Sequence, residues 1–284
     1  MTSANPLSSS KRIIGLAGLA RSGKDTVARM LLEHDRVAAY ALADPLKEGC
    51  QVLFGLSDDQ AWGDDGKESN IALWGRSPRQ FFQRVGTEWM RGHDPDHWLM
   101  RAERELNAPA RAGDVDSSRL QDPDAVFRLG AEAIFGLSCR QAWNLEAGDS
   151  EDAFWRMTPN EMFELLRRFA LDDYPDFIQR RMERAVTPPT RRARIAPHTD
   201  FLVLKDIRFE NEASYIRRRG GLVWHIRRST QRIDDHSSEH GIAIAPGDTV
   251  IDNNGTLDQL AGRVGEAWRR VEGSDPMRGL TPGT

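Results

Sequence analysis

The stretch Arg12-Ile13-Ile14-Gly15-Leu16-Ala17-Gly18-Leu19-Ala20-Arg21-Ser22-Gly23-Lys24-Asp25-Thr26 constrains the fold more than any other part of the chain. It opens with an apolar, β-branched run that reads as a buried strand. A turn holding Gly18 and Gly23 follows, and Thr26-Val27-Ala28-Arg29-Met30-Leu31-Leu32 then has helical spacing. Strand, glycine loop, lysine and helix in that order form a phosphate-cradling loop. Glycines let backbone N–H groups approach an anion, and the helix N-terminus adds its positive dipole end. Lys24 then reaches the anion as a point charge. The bland alternative is a glycine-rich turn that binds nothing, and the flanking strand and helix argue against it. The usual motif follows the lysine with Ser or Thr, whose hydroxyl holds Mg²⁺. Here Asp25 takes that position and Thr26 comes one residue later.

The chain has 284 residues, enough for one or two domains with an ample core. A formal net charge of −4 gives no global electrostatic pull toward nucleic acid or membrane. Basic clusters such as Arg191-Arg192-Ala193-Arg194 read as solvated surface. Two cysteines, Cys50 and Cys139, cannot build a disulfide framework or a four-ligand zinc site alone, which fits a reducing cytosol. The opening residues Met1 to Lys11 are polar and Ser-rich, unlike a secretory leader. No apolar run approaches the roughly 20 residues of a membrane span. Residues 1–11 and 273–284 read as flexible tails.

Beyond the loop, Arg36 to Ala43 is a second strand candidate, ending in Asp44-Pro45-Leu46-Lys47. Ligands of open α/β sheets bind beyond the carboxyl ends of strands, so Asp44 and Lys47 stand where chemistry is expected. Asp44 also suits a helix N-cap ahead of Pro45. Residues 49 to 104 read as mostly helical. Ser77 caps a helix with Pro78 in its first turn, and Arg79, Gln83 and Gly86 share one face. Thr87-Glu88, Arg91, His93-Asp94-Pro95-Asp96 and Trp98 follow. Arg79 and Arg91 on adjoining turns suit a bidentate grip on phosphate; pairing of an arginine with Glu88 on an exposed face is the structural alternative. Leu106 to Gln121 and Ala185 to His198 read as linkers around a second helical stretch, 122–184.

Phe201-Leu202-Val203-Leu204 is a continuous apolar run, as in a buried parallel strand. An Asp at the end of such a strand, here Asp206, suits a carboxylate beside Mg²⁺, and Arg208 follows on the same edge. A helix to Arg219 stops at Gly220-Gly221. The strand Leu222 to Ile226 leads into Arg227, Arg228 and Arg232, which either close over a transferring phosphate as a lid or form an exposed basic loop. His236 and His240 lack a convincing third metal ligand and read as loop residues. The strand Thr249-Val250-Ile251, the turn Asp252-Asn253-Asn254-Gly255 and a helix from Leu257 to about Val271 complete the chain.

In order, the glycine loop, Ala43-Asp44-Pro45-Leu46-Lys47, Gly86-Thr87-Glu88-x-x-Arg91 and Asp206-Ile207-Arg208-Phe209-x-Asn211-Glu212 resemble the phage-type deoxynucleoside monophosphate kinases. In that family the loop typically ends Ser-Gly-Lys-Asp-Thr, as Ser22 to Thr26 do, so Asp25 is part of the pattern. Asn254-Gly255-Thr256-Leu257 is similar to the family's final turn and helix. The resemblance covers residues 12 to 104 and 199 to 271. It implies an α/β P-loop NTPase core, three αβα layers on a parallel sheet, at 12–48 and 199–272. An acceptor-binding helical insertion at 49–113 would follow. It implies transfer of the γ-phosphoryl of ATP, with Mg²⁺, onto a deoxynucleoside 5′-monophosphate. The setting would be cytoplasmic (the host cytoplasm if phage-encoded), with no nucleic-acid polymer or membrane as partner. Gly18, Arg21, Ser22, Gly23, Lys24, Asp25 and Thr26 would cradle ATP, and Asp25, Thr26 and Asp206 would supply Mg²⁺ contacts. Asp44, Lys47, Arg79, Gln83, Thr87, Glu88, Arg91, Trp98, Arg208 and Glu212 would bind the acceptor. Lys24, Asp44, Arg208 and Arg228 would serve the transfer itself. The competing readings are another small-molecule P-loop kinase, of dephospho-coenzyme A or phosphomevalonate type, and a non-catalytic nucleotide-binding scaffold.

An internal similarity adds a further expectation. Phe54-Gly55-Leu56-Ser57-Asp58-Asp59-Gln60-Ala61-Trp62 recurs as Phe135-Gly136-Leu137-Ser138-Cys139-Arg140-Gln141-Ala142-Trp143, seven of nine positions identical at an offset of 81. At that offset Trp74 matches Trp155, Ser77-Pro78 matches Thr158-Pro159, and Phe82 matches Phe163. After a one-residue deletion, Pro95-Asp96 matches Pro175-Asp176 and Glu103-Arg104 matches Glu183-Arg184. A shared spacing of this length predicts a degenerate second copy of the insertion within 114–198. The chemistry is not retained, since Asp44 becomes Ala125, Arg79 becomes Asn160 and Gly86-Thr87-Glu88 becomes Arg167-Arg168-Phe169. Only the first copy is then expected to line the acceptor site, while the second packs against it or mediates self-association into a homodimer.

Overall fold

Apolar runs without alternation belong to strands covered on both faces, which is how parallel sheets are built. A computed structural model describes residues 11–19, 21–63, 66–107, 117–189, 195–196, 198–229 and 242–273, and of Asp206 only the backbone. The expected tails, the cluster at 191–194, Arg232, His236 and His240 lie outside the described residues or nearly so, the tails overlapping them only at Lys11 and Gly273. The chain divides into two compact units, Met1–Ala41 with Ile195–Thr284, and Leu42–Arg194.

In the first part of the chain, β1 (Arg12–Ala17) leads through the glycine loop to α1 (Lys24–Leu31) and β2 (Val37–Tyr40). The second unit runs α2 (Ala43–Phe54), α3 (Asp58–Trp62), α4 (Pro78–Gln83), a π-helical segment (Arg84–Arg91), α5 (His97–Asn107), α6 (Ala125–Phe135), α7 (Cys139–Trp143), α8 (Leu145–Gly148), α9 (Pro159–Asp173) and α10 (Phe177–Arg181). The chain then returns to the first unit with β3 (Phe201–Ile207), α11 (Glu210–Arg218), β4 (Leu222–Arg227), β5 (Thr249–Asp252) and α12 (Leu257–Gly273).

The strands form a five-stranded parallel sheet in the order β2-β3-β1-β4-β5, with the loop-bearing strand at its centre. Side chains alternate across β1. Ile14 and Leu16 join the cluster formed with Val27 and Leu31 of α1 and Leu260, Val264 and Trp268 of α12. Gly15 faces the other way, where an added Cβ would meet Ile216 of α11 at 2.7 Å. Helices therefore cover both faces, giving the three-layer α/β core expected from the sequence. In the second unit a separate core gathers Phe54, Trp74, Phe81, Trp89, Phe127, Phe135, Trp155 and Phe177.

Two local readings change. The second strand stops at Tyr40, and helix begins at Ala43 with Leu42 at its N-cap, so Asp44 stands inside the first turn and is not the cap. The helix extends two residues back from Pro45, and proline is tolerated in a first turn. Residues 84–91 wind with i→i+5 bonds, so the α-helical face counting used for Arg79 and Arg91 does not carry across them. The Ser77 cap and Pro78 start of α4 are as expected, with a capping box closed by Gln80.

Candidate active site

The loop between β1 and α1 has the backbone its glycines allow. Gly18, Arg21 and Gly23 take φ values of 151°, 62° and 101°. A Cβ on Gly18 would stand 2.5 Å from the carbonyl oxygen of Ile226, and one on Gly23 2.3 Å from Asn253 Nδ2. Only glycine fits at either position. Asn253 Nδ2 donates to the Ser22 carbonyl at 2.8 Å, tying the turn after β5 to the loop. Lys24 Nζ folds onto the loop and donates to the carbonyls of Gly18 and Leu19 at 2.6 and 2.9 Å. Ser22 is buried, and its hydroxyl has no hydrogen-bond partner among the described residues. Arg21, with φ above zero, holds a backbone conformation that costs on the order of 1 kcal/mol and clusters at functional sites. Asp25 and Thr26 stand in the first turn of α1, the end whose N–H groups have no partner within the helix.

The parallel register brings other candidates to the same sheet edge. Ala17 pairs with Ile207 on one side and His225 on the other, and Arg227 pairs with Asp252. Arg208 follows β3, and Arg227 and Arg228 close β4 and follow it, all exposed. Glu212 is buried and accepts from the backbone N–H groups of Arg208 and Phe209 at 2.7 and 3.1 Å. It holds the strand-to-helix turn that carries Arg208. The Ser229 N–H donates to Asn254 Oδ1 at 2.6 Å, anchoring the start of the arginine-bearing loop.

The second unit carries the remaining candidates. Asp44 and Lys47 lie on the first turns of α2, and the Lys47 ammonium stands 5.1 Å from the centre of the Trp62 ring. Arg79, exposed on α4, donates to Glu68 at 2.5 Å. Gln83, Thr87 and Glu88 are exposed, and Arg91 is half-buried. Glu88 pairs with Arg84, a residue whose role the sequence did not single out. Arg84 also donates to both oxygens of Asp173, which raises its pKa further. Trp98 is buried, with its indole on the Gly86 carbonyl at 2.9 Å. It braces the backbone of the Gly86–Arg91 segment from the core side. The Arg84–Asp173 and Asn253–Ser22 contacts join residues 89 and 231 apart, which no local motif displays.

Among the described residues no three His, Cys, Asp or Glu side chains gather as a metal cage, and no helix is long and apolar enough to cross a membrane. Cys50 and Cys139 are free thiols, and burial pushes the Cys50 thiol well up.

The family model for deoxynucleotide monophosphate kinase matches residues 12–63 and 185–264, which hold the glycine loop, α2 and the rest of the sheet edge. The chain is 24% identical over 271 residues to the deoxynucleotide monophosphate kinase of Enterobacteria phage T4, covering 89% of this chain and 97% of that protein. To the enzyme of the same description from Escherichia phage RB69 it is 23% identical over 273 residues, 90% of this chain and 99% of that one. It is 41% identical over 83 residues to a "putative deoxynucleotide monophosphate kinase" of Acanthamoeba polyphaga mimivirus. That match covers 28% of this chain and less than half, 43%, of the mimivirus protein. With its parallel sheet, its lysine-bearing loop ahead of α1 and these matches, the chain is similar to the deoxynucleotide monophosphate kinases.

Proposed function

We propose that the protein transfers the γ-phosphoryl group of ATP to a deoxynucleoside 5′-monophosphate. The observation that carries the reading is the loop itself, where Lys24, two sterically obligatory glycines and the first turn of α1 converge. Its fit to a polyphosphate is supported by the unpartnered buried Ser22 hydroxyl and by a left-handed residue at position 21, which turns successive N–H groups into an anion-binding concavity. The Thr26 hydroxyl and Asp25 carboxylate are hard oxygen donors of the kind Mg²⁺ takes, with Asp206 as a further candidate. Mg²⁺, when bound, would neutralise charge on the phosphates.

Such a transfer asks little covalent chemistry of the protein, so positioning and charge neutralisation account for most of the rate. Gly18, Arg21, Ser22, Gly23 and Lys24 hold the donor. Arg79, Arg91 and Arg208 present guanidinium forks suited to a monophosphate dianion. Asp44, Lys47, Gln83, Thr87 and Glu88 supply the remaining polar contacts to the acceptor. Arg228, with Arg227 and Arg232, neutralises charge that develops on the transferring group. Trp98 and Glu212 act from behind, holding Gly86 and Arg208.

The test is a panel of acceptors with labelled ATP and Mg²⁺, spanning deoxynucleotides, ribonucleotides and non-nucleotide alcohols and phosphates. Diphosphate formation from deoxynucleoside monophosphates is the expected result. Turnover of a non-nucleotide acceptor alone overturns the substrate, and no transfer to any acceptor overturns the activity.

A further inference from the structure

Residues 81 apart in the second unit do the same structural work. Phe54 and Phe135 end α2 and α6, and each precedes a glycine in the left-handed region, at φ 62° and 68°. Ser57 and Ser138 close capping boxes with Gln60 and Gln141. The Trp74 indole donates to the Phe54 carbonyl at 2.9 Å, and the Trp155 indole to the Phe135 carbonyl at 2.8 Å. Short antiparallel bridges join Ile71 to Arg76 and Asp152 to Met157.

The two segments also meet symmetrically. A Cβ on Gly49 would stand 2.5 Å from Ile134, and one on Gly130 3.1 Å from Leu53. Their terminal arms are exchanged. Arg101 and Arg104 of α5 donate to the carbonyls of Ala133 and Gly136 at 3.0 and 2.9 Å, at the end of α6. Arg181 and Arg184 donate to the carbonyls of Val52 and Gly55 at 3.2 and 2.6 Å, at the end of α2. His97 stacks on Trp155, and Phe177 packs on Trp74 in the same place. Guanidinium groups on terminal helix carbonyls also complement the helix dipole.

The symmetry fails at one place. The first segment is π-helical over Arg84–Arg91, whereas α9 of the second is α-helical throughout Pro159–Asp173. The first segment holds one residue more here, since Phe82 matches Phe163 at an offset of 81 and Pro95 matches Pro175 at 80. The wider i→i+5 winding absorbs it, and such winding is frequent at functional sites. Asp173, the last residue of α9, grips this segment. Its oxygens accept from Arg84 Nε at 3.0 and 2.8 Å, from Arg84 Nη2 at 2.5 Å and from the Trp89 indole at 3.1 Å. Phe169 stacks on the Trp89 ring at 5.5 Å. In the reverse direction the contact has no counterpart, because Leu165 and Ala170 stand 81 residues after Arg84 and Trp89.

We propose that the second helical segment is an arm-exchanged, intramolecular partner of the first, and that Asp173 is the positioning residue through which it fixes the acceptor-binding face. The aspartate holds Arg84 and Trp89, and these set the winding that presents Thr87, Glu88 and Arg91. This rests on the acceptor reading above. Neither half of the pair closes its own core, so the exchange couples the integrity of the second segment to substrate binding by the first.

The test uses the full chain. Asp173→Asn removes the charge that holds Arg84, and Asp152→Asn is a matched control. Both aspartates are buried, at 6% and 7% side-chain exposure, and both pair with an arginine, but Asp152 accepts from Arg104, Gln141 and the backbone N–H groups of Phe154 and Trp155, and from no residue of the Arg84–Arg91 segment. Asp173→Asn should raise KM for the deoxynucleotide on the order of tenfold or more with KM for ATP unchanged. Asp152→Asn should lower Tm by a similar amount and leave both KM values in place. Arg84→Met should match Asp173→Asn, and the double variant should add little. Trp89→Phe, which removes one hydrogen bond, gives the same selective shift in milder form and decides the matter if Asp173→Asn does not fold. Equal loss of Tm in the two Asn variants with unchanged KM for the acceptor overturns the positioning role. Should the wild type use a non-nucleotide acceptor, the split is measured against that acceptor and only the substrate assignment falls. A wild type that transfers to nothing overturns both.

Discussion

Asn253 reaches across 231 residues of sequence to donate its amide to the Ser22 carbonyl at 2.8 Å, and the space it fills is the space a side chain at position 23 would need. The turn after β5 and the phosphate loop are thus one device. Gly23→Ala meets both a φ of 101° and a 2.3 Å approach to Asn253, so it should abolish ATP binding in a folded protein. Asn253→Ala removes a single neutral hydrogen bond and should raise KM for ATP by roughly threefold to tenfold. Steady-state kinetics at saturating acceptor separate the two. An Asn253→Ala enzyme with wild-type KM for ATP would show that the loop holds its shape unaided.

Lys24→Ala should leave the fold intact and remove the transfer. Its ammonium contacts the loop carbonyls of Gly18 and Leu19, and the α1 residues that pack into the core are Val27, Ala28 and Leu31. A donor aimed at developing charge in a site of this kind contributes about 3–4 kcal/mol in the transition state, or on the order of 10²–10³ in kcat. Near-normal kcat in a variant of unchanged Tm would take the loop out of the chemistry.

The loop was legible because strand, glycines, lysine and helix follow one another directly, and local spacing is what a sequence displays. Apolar runs likewise gave away β3 and β4, and the Asp206-Ile207-Arg208 signature marked the edge where a strand ends. What stayed hidden depends on distance or on winding. Asn253 looked like one more turn residue, since nothing in Asp252-Asn253-Asn254-Gly255 points at Ser22. Arg84 and Asp173 lie 89 residues apart and belong to no motif. The π-helical turns of Arg84–Arg91 follow from tertiary packing around Trp89 and Gly86, which a count of i, i+3 and i+4 positions cannot register. Trp98 and Glu212 stood out as polar or aromatic residues in motifs, yet burial turns them inward to hold a backbone carbonyl and two N–H groups.

The arginines proposed for the acceptor can be separated from the proposed donor site. Arg79→Ala and Arg91→Ala should each raise KM for the deoxynucleotide far more than KM for ATP. Arg79 already has an exposed carboxylate partner in Glu68, a pairing worth little in water. Exchanging that partner for a phosphate dianion therefore costs little, and Glu68→Gln should leave Arg79 competent. Titration of each variant with the two nucleotides by calorimetry checks the split. Equal losses for both would move these arginines out of the acceptor site.

His97 makes the second unit sensitive to acid. Its ring is buried, stacks on Trp155 at 4.9 Å and meets Phe135 edge-on at 5.1 Å. Nε2 lies 3.1 Å from the Ile134 carbonyl, which assigns the proton of the neutral ring to that nitrogen. Burial, with smaller contributions from Arg101 and His93, lowers its pKa from 6.5 to about 3, against the opposing pull of that carbonyl. The unfolded chain takes up a proton near pH 6.5 that the folded chain refuses until about pH 3. In that window the unfolded state binds more protons, so stability falls as pH drops, with a slope approaching about 1.4 kcal/mol per pH unit. His97→Phe places at this position the residue found at the matching Phe177 and has no proton to gain. The loss of the Ile134 hydrogen bond offsets that variant by an amount independent of pH. Urea unfolding at pH 7, 6, 5 and 4.5 should therefore show the wild type losing ground on His97→Phe, by about 1.6 kcal/mol between pH 6.5 and 5. A stability difference that stays constant over this range would mean that the imidazole titrates alike in the folded and unfolded chain, and that its burial between the two segments is not maintained in solution.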